Sequence, residues 1–193
     1  MSRELLEVQN ECQGCMKCSL GQTRTNLVFG VGNPHAKIMF IGEGPGKNED
    51  LQGEPFVGAA GQLLNQMLER VHLSRDDIYI ANILKCRPPG NRDPKPDEIE
   101  ACTPWLREQI KSVHPIVLVT LGNFATKFIL QTETGITRLR GQVHVTGPFR
   151  VIPMFHPAAA IYDRSKVTAL EQDFDLLRLL LDTDAERAKE AGQ

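Results

Sequence analysis

The sequence predicts an α/β protein, a three-layer αβα arrangement around a central four-stranded, mainly parallel sheet. Two observations carry that prediction. Four short apolar runs of strand length alternate with stretches whose apolar residues recur at helical spacing, the pattern of a parallel sheet covered on both faces. The polar residues that stand out, Glu43, Asn82 and His156, fall at or near the carboxyl ends of those runs. In open sheets of this kind ligands bind beyond the carboxyl ends of the strands.

The elements follow in order. "AKIMFIGEG" (Ala36–Gly44) is an apolar run ending in glycines, a buried strand entering a tight loop. "GQLLNQMLERV" puts Leu63, Leu64, Met67, Leu68 and Val71 on one helical face. "IYIANILKC" (Ile78–Cys86) is a second strand, interrupted by Asn82. "PKPDEIEACTPWLREQIKSV" opens with the Pro and Asp of a helix start, then spaces Ile99, Cys102, Leu106 and Ile110 along one face. "PIVLVTLG" (Pro115–Gly122) is the third strand and "NFATKFIL" the helix after it. "RVIPMFHP" (Arg150–Pro157) is the fourth strand, ending at His156, and "KVTALEQDFDLLRLLLDT" closes the chain as an amphipathic helix. No repeat, low-complexity tract or linker divides the 193 residues, so the expectation is one domain over 1–193, with an acidic helical tail from about 171.

Composition excludes more than it selects. With 41% hydrophobic and 24% charged residues the chain reads as an ordinary globular protein. No apolar run approaches the roughly 20 residues of a membrane span, and the N-terminus lacks the apolar core of a signal peptide. The expectation is a cytoplasmic protein, where thiols stay reduced and clustered cysteines bind metal or do redox chemistry. The net charge of −2 is uneven: seven acids against three bases beyond Leu170 leave 19 basic and 17 acidic residues before it. That is a weak pointer to an anionic partner, and a solvated acidic helix explains it equally well.

Five cysteines fit no paired disulfide framework. Cys12, Cys15 and Cys18 stand at C-x-x-C-x-x-C spacing, with Cys86 and Cys102 far downstream. A redox C-x-x-C, a metal site and inert core thiols all compete. No strand precedes "CQGC" as a βαβ redox motif requires. The N-terminal pair with Cys86 and Cys102 offers four thiolates from two regions, which suits Zn²⁺ or an iron–sulfur cluster and does not separate them. "GEGPGKNED" is glycine-rich, letting the backbone approach a ligand, yet it matches neither a Walker A loop nor G-x-G-x-x-G. Phe56 in "GEPFVGAAG" is either a core anchor or a stacking platform. Asn82 in an apolar strand needs partners or costs roughly 1–3 kcal/mol per unsatisfied group. It serves either a neighbouring loop or the edge of a ligand. His156 before Pro157 is weak evidence by itself.

Taken together, "GEGPGKNEDLQGEPFVGAAGQLL", "NILKCRPPGNRDPKPDEIEAC", "MFHPAAA" and the N-terminal C-x-x-C resemble the family 4 uracil-DNA glycosylases, base-excision repair enzymes that carry a 4Fe–4S cluster. The resemblance runs from about Cys12 to Lys166. It implies cluster ligands at Cys12, Cys15, Cys86 and Cys102, leaving Cys18 a bystander. It implies a uracil pocket of Gly42, Glu43, Gly44, Phe56, Asn82 and His156, with Glu43, His156 and Asn91 catalytic and Glu49 assisting. The implied partner is uracil-containing DNA, single- or double-stranded, free uracil is the product, and the protein acts as a monomer away from membranes. Two features depart from relatives. Where many have leucines that wedge into the DNA stack, Ala159, Ala160, Ile161 and Tyr162 follow His156-Pro157, and the basic, histidine-bearing loop of relatives that bond to abasic DNA is missing. Two other classes stay in play: a cluster-bearing nucleic-acid-binding module with a dead pocket, and a Zn²⁺ hydrolase of the same fold.

Overall fold

The computed structural model describes residues 3–191, with side chains described as far as Glu186. The sheet has six strands: β1 (Val31–Gly32), β2 (Ile38–Gly42), β3 (Ile78–Asn82), β4 (Val117–Leu121), β5 (His144–Thr146) and β6 (Phe149–Met154), in the order β1-β3-β2-β4-β6-β5. The four expected runs form its parallel centre, β3-β2-β4-β6. The expectation of four strands is corrected by two antiparallel edges, β1 on β3 and β5 on β6. These edges are two and three residues long and none of their residues is buried, so they carry no apolar run for a sequence pattern to find.

The helices are α1 (Leu5–Gln13), α2 (Leu20–Thr23), α3 (Lys47–Gln52), α4 (Ala59–Arg70), α5 (Pro96–Val113), α6 (Asn123–Leu130), α7 (Ile136–Leu139), α8 (Pro157–Ala160) and α9 (Arg164–Ala191). Strand residues alternate between two cores, as a pleat requires. Met39, Ile41, Tyr79, Ala81, Leu118 and Val151 face a cluster that includes Val8 and Cys12 of α1, Leu106 of α5 and Ala125 of α6. Ile38, Phe40, Ile80, Val119 and Ile152 face Leu64 and Leu68 of α4 and Leu170, Phe174 and Leu177 of α9. The acidic segment after Leu170 is thus one face of a helix whose other face is core. The buried Asp173 is answered by a bidentate Arg140 at 2.8 and 2.9 Å, whereas Arg187, Lys189 and Glu190 lie outside the described side chains. Among the described residues no helix is long and apolar enough to cross a membrane.

What places a site is the strand order. The chain leaves β2 for β3 on one side and then crosses to β4 on the other. The loops after β2 and β4 therefore diverge and open a crevice at the carboxyl edge. Register sets Gly42, the last residue of β2, directly opposite Asn82, the last of β3.

Candidate active site

A cavity of about 330 Å³ opens at that crevice, lined among others by Glu43, Gly44, Glu49, Phe56, Asn82, Asn91 and His156. Gly42 lies just behind the wall. A Cβ there would sit 2.3 Å from the Asn82 side-chain oxygen and 3.0 Å from the Phe56 ring, so only glycine permits the approach. Every expected pocket residue is brought to this one place.

Asn82 is 2% exposed, and its Oδ1 is buried with no hydrogen-bond partner among the described residues. A buried carbonyl-type acceptor left open is rare and costly, and points to a donor that arrives with a ligand. Phe56 holds a left-handed backbone (φ 56°) that a non-glycine residue adopts only when its surroundings impose it. Those surroundings are explicit. Arg75 donates to the carbonyls of Pro55 (3.2 Å) and Phe56. Glu49 accepts from the N–H groups of Val57 (3.0 Å) and Gly58 (3.1 Å). Gly61 lacks the Cβ that would collide with the Phe56 carbonyl at 1.7 Å. The Phe56 and His156 rings stack with centroids 5.5 Å apart.

His156 caps α8. Its Nδ1 accepts from the Ala158 N–H at 3.1 Å, which assigns the proton of the neutral ring to Nε2 and makes that edge a donor. Burial pushes its pKa from 6.5 down to about 4, against the opposing pull of Glu49, so the ring is neutral at physiological pH. Glu43 moves the other way: burial, then the nearby Asp93 carboxylate, raises its pKa above the usual value. Glu49 lines the cavity but is committed to backbone, since its second oxygen accepts from Gly46 N at 3.1 Å and closes the first turn of α3. Asn91, also left-handed (φ 54°), accepts on Oδ1 from Arg87 Nε at 2.7 Å. Arg92 is bound bidentately to the fully buried Glu98 at 2.6 and 2.9 Å.

The cysteines meet at a second cavity, lined by Cys12, Cys15, Cys18, Cys86 and Cys102 together with Lys17, Lys85 and Trp105. Cys18, set aside in the sequence, is on the same wall as the rest. Among the described residues no three His, Cys, Asp or Glu side chains converge as ligands of a single ion. Three of the sulfurs are met by donors: Trp105 Nε1 to Cys15 (3.3 Å), Arg24 Nη1 to Cys86 (3.3 Å) and Lys85 N to Cys102 (3.2 Å). N–H groups aimed at sulfur, with a guanidinium and an ammonium beside it, favour the thiolate form against the cost of burial. Burial pushes the Cys12 thiol up to about 12 and Cys102 up to about 11, each opposed chiefly by Lys85.

Arg24 and Arg75 escaped the sequence reading because their partners lie far along the chain, Cys86 for the first and Pro55 and Phe56 for the second. Lys85 and Gly61 escaped because their contacts with Asn82 and Phe56 depend on how the backbone folds back locally. The one local signal was a lysine between apolar Leu84 and Cys86 in a buried run.

The fold and site define an α/β protein with a partly polar pocket at the carboxyl end of its parallel sheet. The model of the uracil DNA glycosylase superfamily matches residues 29–179. The chain is 47% identical to the type-4 uracil-DNA glycosylase of Sulfurisphaera tokodaii, over 91% of this chain and 84% of that protein. It is also 47% identical to that of Archaeoglobus fulgidus (87% and 88% covered) and 42% identical to that of Thermotoga maritima (96% and 94% covered). The chain belongs to the uracil DNA glycosylase superfamily and, within it, to the type-4 uracil-DNA glycosylases.

Proposed function

We infer that this protein is a uracil-DNA glycosylase, hydrolysing the N-glycosidic bond of uracil in DNA to release free uracil and leave an abasic site. The observation that carries the substrate assignment is the unpartnered Asn82 Oδ1, buried at the pocket wall. Uracil N3–H is the donor it lacks, and the amide nitrogen then donates to O4. Cytosine presents an acceptor and a donor in the opposite order, leaving both buried groups mispaired, which is a strong basis for rejection.

The base must leave the stack to reach this pocket, where Phe56 supplies a face for it. Cleavage of C1′–N1 builds negative charge on uracil and positive charge on the sugar. The neutral His156 donates from Nε2 toward uracil O2 as that charge grows, at no cost of deprotonating itself. Glu43, its pKa raised toward the working range, takes a proton from the attacking water or stabilises the cationic sugar. Asn91 closes the pocket opposite, steadied by Arg87. The partner is uracil-containing DNA, single- or double-stranded, and the protein acts as a monomeric domain over 1–193 in the cytoplasm.

The second cavity suits a 4Fe–4S cluster held by thiolates. When bound it ties the N-terminal segment to β3 and α5, bracing the loop that carries Asn91. The family resemblance implies Cys12, Cys15, Cys86 and Cys102 as its ligands. A specific observation supports a second set, with Cys18 replacing Cys12. Cys12 is fully buried on the inward face of α1 beside Val8, whereas Cys15 and Cys18 are both half-buried on the segment after it.

The test of function is release of free uracil from U·G, U·A and single-stranded oligonucleotides, with the cytosine counterpart as control. Asn82→Asp, which cannot donate to O4, is expected to lose most uracil release and to gain a trace of cytosine release. Undiminished uracil release by this variant removes Asn82 from the pocket.

A further inference from the structure

The peptide from Asn82 to Cys86 belongs to both sites. Ile83 N–H donates to the Gly42 carbonyl and Leu84 N–H to the Glu43 carbonyl, each at 3.0 Å, so this strap fixes the first pocket loop. One residue on, Lys85 N–H donates to Cys102 Sγ at 3.2 Å, and Cys86 accepts from Arg24 at 3.3 Å. The Lys85 side chain folds back along the strap, and its Nζ donates to the Asn82 carbonyl at 2.6 Å.

Lys85 is 1% exposed, and a buried ammonium demands compensation. Among the described residues no ion pair to a carboxylate is formed by it, and it shares its cavity with the thiols of Cys102, Cys12 and Cys86. The peptide unit joining Asn82 to Ile83 is therefore held at both ends, its oxygen by Lys85 and its N–H by Gly42. A peptide is planar, so fixing both ends fixes the Asn82 Cα and with it the point from which its side chain enters the pocket.

We propose that Lys85 is a positioning residue linking the two sites: its charge offsets that of the thiolate-held group while its ammonium locks the Asn82 peptide, so base read-out depends on the cysteine site. This rests on the readings of the cysteines as metal-holding and of Asn82 as the base reader. A thiolate-ligated cluster is anionic, and in a poorly polarisable interior a buried cation beside it is a strong partner, here Lys85 together with the Arg24 guanidinium on Cys86. Removing that cation changes the cluster and the peptide together, which a purely structural side chain would not do.

The test compares iron-loaded wild type with Lys85→Met, which fills the space without charge or donor, and Lys85→Gln, a neutral donor. Both variants are expected to shift the reduction potential of the bound group to more negative values, because a nearby positive charge is gone. Lys85→Met is expected to speed hydrogen exchange at the Ile83 amide and to slow single-turnover uracil excision about 10- to 100-fold, the usual scale for an outer partner of a metal site. Its DNA affinity should stay unchanged, and Lys85→Gln should recover part of the Ile83 protection but none of the potential. An unchanged potential with unchanged Ile83 exchange in Lys85→Met overturns the proposal. If that variant does not accumulate, wild-type protein is compared with and without its metal. Loss of protection at Ile83 and Leu84 on stripping supports the link, and equal protection overturns it. A wild-type chain that binds no iron sinks the metal reading itself, and one that releases no uracil sinks only the excision arm, leaving potential and exchange to decide.

Discussion

The cysteine cavity and the base pocket stand at opposite ends of one five-residue strap and are built on opposite principles. Around the cysteines donors are supplied: Arg24, Trp105 and the Lys85 amide each point at a sulfur. In the pocket a partner is withheld, since Asn82 Oδ1 is buried and left open while the frame around it, Glu49, Arg75 and the α8 cap on His156, is fully hydrogen-bonded. A site that keeps its occupant is satisfied by the protein, whereas a site that turns over reserves its polar atoms for what comes and goes. Substitutions at the first should therefore cost folding, and at the second rate.

The largest effect belongs to the cysteines. Cys86→Ala should abolish iron binding and most soluble protein, because metal binding contributes directly to folding where ligands come from distant segments. Iron content and visible absorption check it. The pair Cys12→Ala and Cys18→Ala sharpens the ligand set, since one should lose iron and the other retain it. Loss in both, or in neither, breaks the four-thiolate reading.

Next come the pocket's chemical groups. His156→Ala should slow single-turnover cleavage about 100- to 1,000-fold, the scale of one lost donor to a developing oxyanion. DNA affinity should barely move, because phosphate contacts dominate it. Its pKa lies near 4, so the wild-type rate should show no inflection at 6.5 from this ring. The acidic limb should instead come from Glu43, whose raised pKa means that activity falls as pH drops through a value above that of an ordinary glutamate. Glu43→Gln should abolish that limb as well as lower the rate. A slowed variant that keeps the limb shows Glu43 acting as something other than the titrating base.

How much of this was legible follows from which contacts are local. The central strands and long helices were readable because their apolar periods are carried within each segment, and Asn82 was conspicuous as a polar residue in an apolar run. The edges β1 and β5 were silent, being short and unburied. Arg75 was silent too: in "SRDDIY" it looks like an ordinary surface charge, and only the fold brings it to the Phe56 carbonyl. Cys18 shows the opposite limit, where a spacing that accommodates two C-x-x-C pairs cannot by itself say which pair faces the cavity.

A smaller effect is expected at Phe56. Phe56→Ala removes a base stack worth roughly 1–3 kcal/mol, but the ring also belongs to the core beneath α4. A melting curve must therefore accompany the rate. A fall in stability with unchanged uracil excision would make Phe56 a core anchor only.

The smallest effect tests how the gap in the DNA stack is filled while the base is out. Ala160, in the helical turn after His156, is buried and too small to wedge. Two residues later Tyr162 is 93% exposed, the most exposed large apolar side chain among those described, and Ile161 beside it is 39% exposed. An aromatic ring held in water at the rim costs nothing to remove from the free protein, where surface changes stay within about 0.5 kcal/mol. On duplex DNA it has a task, because opening a stacked pair costs a few kcal/mol that an inserted side chain partly offsets. Tyr162→Ala should therefore leave the melting temperature and single-strand excision unchanged and weaken double-strand excision by roughly 1 kcal/mol, the low end of a stacking contact. An equal loss on both substrates would mean that Tyr162 contacts the strand without holding a stack open. No loss on either would transfer the task to Ile161, to be tested by the same pair of substrates.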